Sequence, residues 1–325
     1  MLILISKNNT SLQFVFFVVI SLLLWGIHFF NPIPVDIHSV DSFLYADMVV
    51  YLRQFTLFST ILSCLLWGLQ AWILYFSIVR NHLSKNAMFV PLIYMILISN
   101  NSELMCFHPF ILVNFFLVLS YVQLLSVYEK TDTYPIVFNA AFLWSIASLF
   151  YIPIIYTFPL FFLVFMVFSL NKWREWMIAA IGLIFPYLSM FALAFIGDST
   201  TNFVSYLLSH FQAFPDFSIP AMTFSFSIRL FIIGLTLLSI FIMFKNIHDM
   251  ENPQRKKIWV FAISFIYFVI AYLFFWQTNL SFYPAFIFSA YFISELFTRS
   301  KTPLWVESLF YILFFMILAE NYVIL

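Results

Sequence analysis

Charge is scarce in this chain. Only 9% of its 325 residues are charged, against about a quarter in a soluble domain. Such a chain cannot cover a water-facing surface, which excludes an ordinary soluble globular fold. Glycine is also rare, at 5 residues, which argues for bulky, lipid-facing helices rather than a bundle packed on small-residue seams. The 2 cysteines, Cys64 in an apolar run and Cys106 near a loop, sit in no CxxC or other ligand spacing. They support neither a zinc site nor a disulfide framework, and free buried thiols are expected. The net charge is zero, so no basic surface invites nucleic acid. Walker, kinase and hydrolase signatures are absent, as are HExxH and histidine-rich tracts. No carboxylate lies clearly at mid-membrane, which counts against an ion-coupled transporter.

What is present is apolar length. Hydrophobic residues make up 64% of the chain, with 47 Phe. Runs bounded by charges or prolines fall near 12–30, 54–79, 87–99, 109–127, 136–151, 153–170, 177–197, 228–244, 258–275, 282–297 and 304–321. Each is read as a membrane span, about eleven in all. The first run is longer than a signal-peptide core and is followed by Asn31-Pro32, not a small-residue cleavage site, so an uncleaved first span is expected. The stretch 136–170 has no charge and is too long for one span, and Pro153 and Pro159 offer breaks. With Lys7 in the cytoplasm, the threading leaves only Arg53 and Arg229 of the 14 basic residues outside. That asymmetry is what the positive-inside rule demands. The expected architecture is all-α: a polytopic transmembrane helical bundle forming a single membrane domain over 1–325, with the N-terminus cytoplasmic.

Candidate chemistry gathers on the outer side. The first loop, 31–53, carries Asp36, Asp41 and Asp47 with His38 and Arg53. A carboxylate there can take a proton from an acceptor hydroxyl or hold a divalent metal, or it can simply be solvated. Glu103 and His108 flank the mouth of a span, either as an acid-base pair or as a helix-start carboxylate and cap. The third loop, 198–227, has Asp198, His210 and Asp216 and leads into Arg229. Arg229 and Arg53 are the counter-charges available to a phosphate, and Asp216 or Asp198 is the competing partner for Arg229. Both long outer loops can form short interfacial helices. Inside the spans, Asn114 and Asn139 are the candidates for interhelical hydrogen bonds. Glu320 is read as lying near a span end, in reach of water. The inner segment 171–176, with Trp173, Arg174, Glu175 and Trp176, reads as an interfacial belt.

From about Gln70 to Asp198 the chain resembles an uncharacterised family of bacterial polytopic inner-membrane proteins, a domain of unknown function. The likeness rests on QAWILYFSIVRNHLSKNAMFVPLIYMIL, SELMCFHPFILVNFFLVLSYVQLLSVY, FNAAFLWSIASLFYIPIIY and NKWREWMIAAIGLIFPYLSMF. In architecture it also resembles the C-type glycosyltransferases, which use polyprenyl-phosphate sugars. These start inside and hold an essential acidic residue in the first outer loop, and Leu44-Tyr45-Ala46-Asp47-Met48 looks like their Tyr-x-Asp element. That resemblance implies a C-type core fold in a bacterial inner membrane. It implies Asp47 as base, with Asp41 and Asp36 next, and a lipid-linked sugar held by Arg229 or Arg53. Membrane lipids are the expected partners, with a polyprenyl-phosphate-linked sugar as donor and a divalent metal as candidate cofactor. The usual downstream Asp, the Pro-rich continuation and the large C-terminal outer domain are missing. The alternative is therefore a non-enzymatic membrane subunit or scaffold of an envelope assembly.

Overall fold

The structure, a computed structural model, describes residues 10–33, 44–45, 52–84, 86–130, 132–170, 172–212, 223–274, 282–299 and 304–323. Among them the chain forms twelve α-helices and no strand. In chain order these are α1 (Thr10–Phe30), α2 (Thr56–Arg80), α3 (Phe89–Ile98), α4 (Pro109–Ser126), α5 (Tyr134–Phe150) and α6 (Pro159–Phe168). They continue with α7 (Trp173–Ile196), α8 (Thr200–Gln212), α9 (Phe224–Lys245), α10 (Asn252–Phe274), α11 (Tyr283–Arg299) and α12 (Leu304–Val323). Each of the eleven apolar runs falls on a helix. The one further helix, α8, lies between two of these runs, within 198–227. Six helices, α1, α2, α4, α7, α9 and α10, are long and apolar enough to cross a bilayer.

The boundaries follow local chemistry. Pro109 opens α4 at a position where its missing N–H costs nothing. His108 caps that helix, its Nδ1 accepting from the Phe110 N–H at 3.3 Å. Thr223 caps α9 in the same way, through the Phe226 N–H at 3.3 Å. The run 136–170 breaks where its prolines predict. α5 stops at Phe150, a 3-10 turn spans Ile152–Thr157 around Pro153, and α6 starts at Pro159. Trp144 pins this elbow by donating from Nε1 to Thr157 Oγ1 at 3.1 Å.

Two helices form the centre. All ten residues of α3 are buried, and so is α11 from Tyr283 to Thr298. They pack on each other, with α1, α2 and α12 around α3 and α4, α9, α10 and α12 around α11. α3 rises about 15 Å, half of a hydrocarbon core about 30 Å thick. It is an internal helix wrapped by protein, which is why its run is so short. Gln70 ties this centre together: its Nε2 donates to the Ile111 carbonyl at 3.0 Å, and its Oε1 accepts from Tyr94 at 2.9 Å.

The interhelical polar contacts differ from those expected. Asn139 is exposed, and the Asn114 amide has no hydrogen-bond partner among the described residues. Serines make the crossings instead. Ser120 donates to the Ala140 carbonyl at 2.7 Å and Ser145 to the Leu183 carbonyl at 2.6 Å, while the Ser148 and Tyr187 hydroxyls share a bond of 2.8 Å. The contact of α5 with α7 is also closer than a Phe-rich composition suggests. A Cβ at Gly182 would stand 2.8 Å from the Phe138 carbonyl oxygen and 3.0 Å from the Ala141 Cβ. This one seam is packed on small residues, Ala141, Ser145 and Gly182 among them.

The outer faces are apolar. Phe14, Val18 and Leu22 on α1, Leu65, Leu69 and Phe76 on α2, and Ile181, Leu188 and Phe195 on α7 are all exposed. Their spacings of four or seven residues put each set on one helix face. Stripes of this extent cannot face water. The chain is an integral membrane protein whose outer helices contact lipid.

Candidate functional site

The two ends of the bundle can be told apart by contacts. Phe14, early in α1, meets Trp72, late in α2, with ring centroids 6.5 Å apart. The helices are therefore antiparallel, and the first loop joins them at one end. At that end Tyr45 is buried, its hydroxyl donating to the Phe107 carbonyl and its ring stacked on Phe107 at 5.9 Å. The Phe107 N–H in turn donates to Ser59 Oγ of α2 at 2.8 Å. Burial, with a smaller contribution from Cys106, pushes the Tyr45 phenol well above its ordinary value. Tyr45 is thus an anchor between the first loop and the segment before α4.

The same end holds a buried guanidinium and a buried carboxyl group. Arg229 lies in the second turn of α9 and is 1% exposed; Glu320, one turn from the end of α12, is 7% exposed. The Arg229 guanidinium donates from Nη1 to the Tyr272 hydroxyl of α10 at 3.2 Å. Glu320 lies in electrostatic reach of Arg229 and accepts from the Ser225 hydroxyl. Its neighbour Asn321 donates to the Ser99 carbonyl at 2.6 Å, which links this pair to the segment leading toward Phe107. α9, α10 and α12 therefore converge here with the end of α3.

The predicted residues are distributed unevenly around this site. Asp36, Asp41, Asp47, His38 and Asp216 lie outside the described residues, as does the Glu103 side chain. Arg53 is exposed at the foot of α2. His108 is buried and serves as the cap of α4. Asp198 is exposed, and the carboxylate found beside Arg229 is Glu320. A buried guanidinium requires a counter-charge or several acceptors, and depth supplies the clue to it. Arg229 is about one turn in from the start of one helix, and Glu320 about one turn in from the end of another.

Further polar groups at this end have unused capacity. Glu320 Oε2, both His28 ring nitrogens and both atoms of the Asn100 amide are buried with no hydrogen-bond partner among the described residues. Buried polar atoms are nearly always satisfied in folded proteins. These acceptors and donors can therefore meet a polar ligand or water. No group of three or more His, Cys, Asp or Glu able to hold a metal forms among the described residues. Both cysteines are free thiols, Cys106 buried and Cys64 half-buried.

No family model, curated protein or solved structure matches this chain. The fold and the site define its class: a polytopic integral membrane protein with a buried polar site at one end of its helical bundle.

Proposed function

We propose that the chain threads a bacterial inner membrane eleven times, N-terminus inside, and acts at the outer face as a C-type-like glycosyltransferase. The observation that carries this reading is the buried Arg229, set among Tyr272, Glu320 and unsatisfied polar groups at the first-loop end. The cross-helix hydrogen bonds fit the threading. Ser99 with Asn321 and Arg229 with Tyr272 join residues toward the outer ends of its spans. Gln254 to the His82 carbonyl at 3.0 Å and Lys256 to Ser169 at 3.0 Å join positions it puts inside.

In this reaction the donor is a polyprenyl-phosphate sugar. A first-loop carboxylate, Asp47 first and Asp41 or Asp36 next, takes the proton from an acceptor hydroxyl. That oxygen attacks the anomeric carbon, the bond from this carbon to the phosphate oxygen breaks, and the configuration inverts. The polyprenyl phosphate leaves with the electron pair. Arg229 faces the negative charge that grows on it. Glu320 Oε2 is an acceptor suited to a sugar hydroxyl.

The family resemblance over Gln70 to Asp198 fits a membrane protein of this kind without adding an activity. One observation favours a second reading, a non-enzymatic subunit of an envelope assembly: Glu320, in electrostatic reach of Arg229, gives it a counter-group from within the protein. Asp47→Asn, Asp41→Asn and Asp36→Asn in a deletion strain separate the two. On the transferase reading one variant accumulates normally yet loses activity by about a hundredfold or more, as for loss of a general base. Full complementation by all three would leave the subunit reading.

A further inference from the structure

The helices at the first-loop end do not all reach the same height. α5 and α7 run parallel, since Thr133 donates to Glu175 Oε1 at 2.7 Å near their starts and the Ser148 and Tyr187 hydroxyls share their bond farther along. α5 stops at Phe150, just past Ser148, whereas α7 runs on from Tyr187 to Ile196. α7 therefore outreaches α5 by about 10 Å. The Phe110 and Tyr151 rings, 4.5 Å apart, put the elbow at Ile152–Thr157 at the first-loop end. With its 24 residues, α7 is about 36 Å long, against a hydrocarbon core about 30 Å thick. A step is thus left above the elbow, below the level that α7 reaches.

α8 fills this step. α7 closes with Asp198 at a left-handed φ of 49° and with the Ser199 N–H donating back to the Ala194 carbonyl at 2.9 Å, a pairing that ends a helix and turns the chain. The main neighbours of α8 are α7 and the elbow, so it crosses the end of the bundle rather than running down its side. The sides of α8 differ. Phe203 is 2% exposed and Leu207, one turn on, is half-buried, so this side is seated on the protein. Asn202, Ser205 and Ser209, on the side away from it, are exposed. Between the two sides, Val204 and Leu208 are 38% and 51% exposed. This apolar flank follows on Leu193, Phe195 and Ile196, exposed at the end of α7, and so continues the stripe of α7 that faces lipid. α8 contains no Asp, Glu, Lys or Arg.

We propose that α8 is an interfacial anchor lying in the surface of the bilayer. Val204 and Leu208 enter the lipid, Phe203 and Leu207 rest on the protein beneath, and Asn202, Ser205 and Ser209 face water. A helix with a polar side and an apolar flank is satisfied at that boundary and in neither phase alone. The partner is the lipid surface. Because α8 carries no charged residue, the attraction comes from apolar burial and not from headgroup charge. The inference needs only the membrane embedding of the bundle and stands on either reading of function.

Spin labels on the purified full chain in liposomes test this, with Cys64 and Cys106 replaced by Ala. Single labelled cysteines are introduced as Asn202→Cys, Val204→Cys, Ser205→Cys and Leu208→Cys, with Leu188→Cys on the lipid-facing stripe of α7 as the reference. Power saturation compares collision with oxygen, which concentrates in lipid, and with a water-soluble nickel chelate. Labels at Val204 and Leu208 should favour oxygen, as at Leu188, at a depth of about 5–10 Å. Labels at Asn202 and Ser205 should favour nickel. The depths should be the same in phosphatidylcholine as in phosphatidylglycerol liposomes. The proposal is overturned if Val204 and Leu208 favour nickel, or if they are shielded from both reagents, as under a second copy of the chain. It is overturned equally if Asn202 and Ser205 also read as lipid, as in a fully inserted helix, or if the depth appears only with phosphatidylglycerol. The labelled positions are exposed, so substitution should cost little stability. If Leu208→Cys fails to accumulate, Val204→Cys carries the test by itself.

Discussion

Arg229→Leu alone, Glu320→Leu alone and the two together form a cycle that tests the charge pair at the first-loop end. Both partners are nearly inaccessible, at 1% and 7% exposure, so each single change strands a charge in a medium that cannot solvate it. The expected cost is about 3–5 kcal/mol for either one. The double change removes both charges and leaves two apolar side chains, which is close to neutral in comparable buried pairs. The non-additive part should therefore be about 3 kcal/mol or more. Tyr272→Phe should add a smaller loss, about 1–2 kcal/mol, because it removes the acceptor of one guanidinium N–H. The assay is reversible unfolding in mixed micelles with increasing denaturing detergent, followed by helical circular dichroism. Single costs that add in the double variant to within about 0.5 kcal/mol would refute the pairing.

Gly182→Ala should destabilise by about 1–2 kcal/mol, since the clash with the α5 backbone (about 1–3 kcal/mol) outweighs a helix-propensity gain of about 1. Gly234→Ala, with nothing within 4 Å of the added Cβ, should be neutral or stabilising in the same unfolding assay. Tyr45→Phe should cost about 1 kcal/mol by removing the bond to the Phe107 carbonyl. Burial raises the Tyr45 phenol, so wild type should keep its advantage over Tyr45→Phe below pH 10 and lose it as pH rises further, because only the unfolded phenol then ionises. With Cys64 and Cys106 replaced by Ala, single cysteines at Ser42 and Ser218 should react with an impermeant thiol reagent in intact cells. One at Ser84 should not, and labelling there would overturn the threading.

Hydropathy located the helices well because lipid and protein interior demand the same thing of a side chain. Every apolar run became a helix, and the prolines at 153 and 159 marked the one internal break. The same equivalence hid which helices are central. The α3 run VPLIYMIL and the α1 run FVFFVVIS are equally apolar, yet the first is buried on all sides and the second faces lipid. No periodicity separates them, since lipid and protein neighbours leave the same apolar pattern. The Gly182 seam was hidden for a related reason: a count of glycines over the whole chain says nothing about where one of them meets a partner backbone.

The site was legible in its parts and not in its pairing. Arg229 stood out as one of two basic residues on a face otherwise acidic. Of the loop carboxylates near it in sequence, Asp198 is exposed and Asp216 lies outside the described residues. In a bundle the relevant coordinate is depth along the membrane normal. α9 enters at the first-loop end and α12 leaves at it, so residues about one turn inside each helix share a level although 91 positions separate 229 from 320. A charge that enters the bundle is expensive at its own level and must be answered there. Glu320, read as a span-end residue reaching water, is instead the carboxylate at that level. His28 and Asn100 belong to the same end by the same reasoning, as groups at the close of α1 and just past α3. Pairing intramembrane polar residues by depth, after the spans are threaded, would have found this constellation from the sequence.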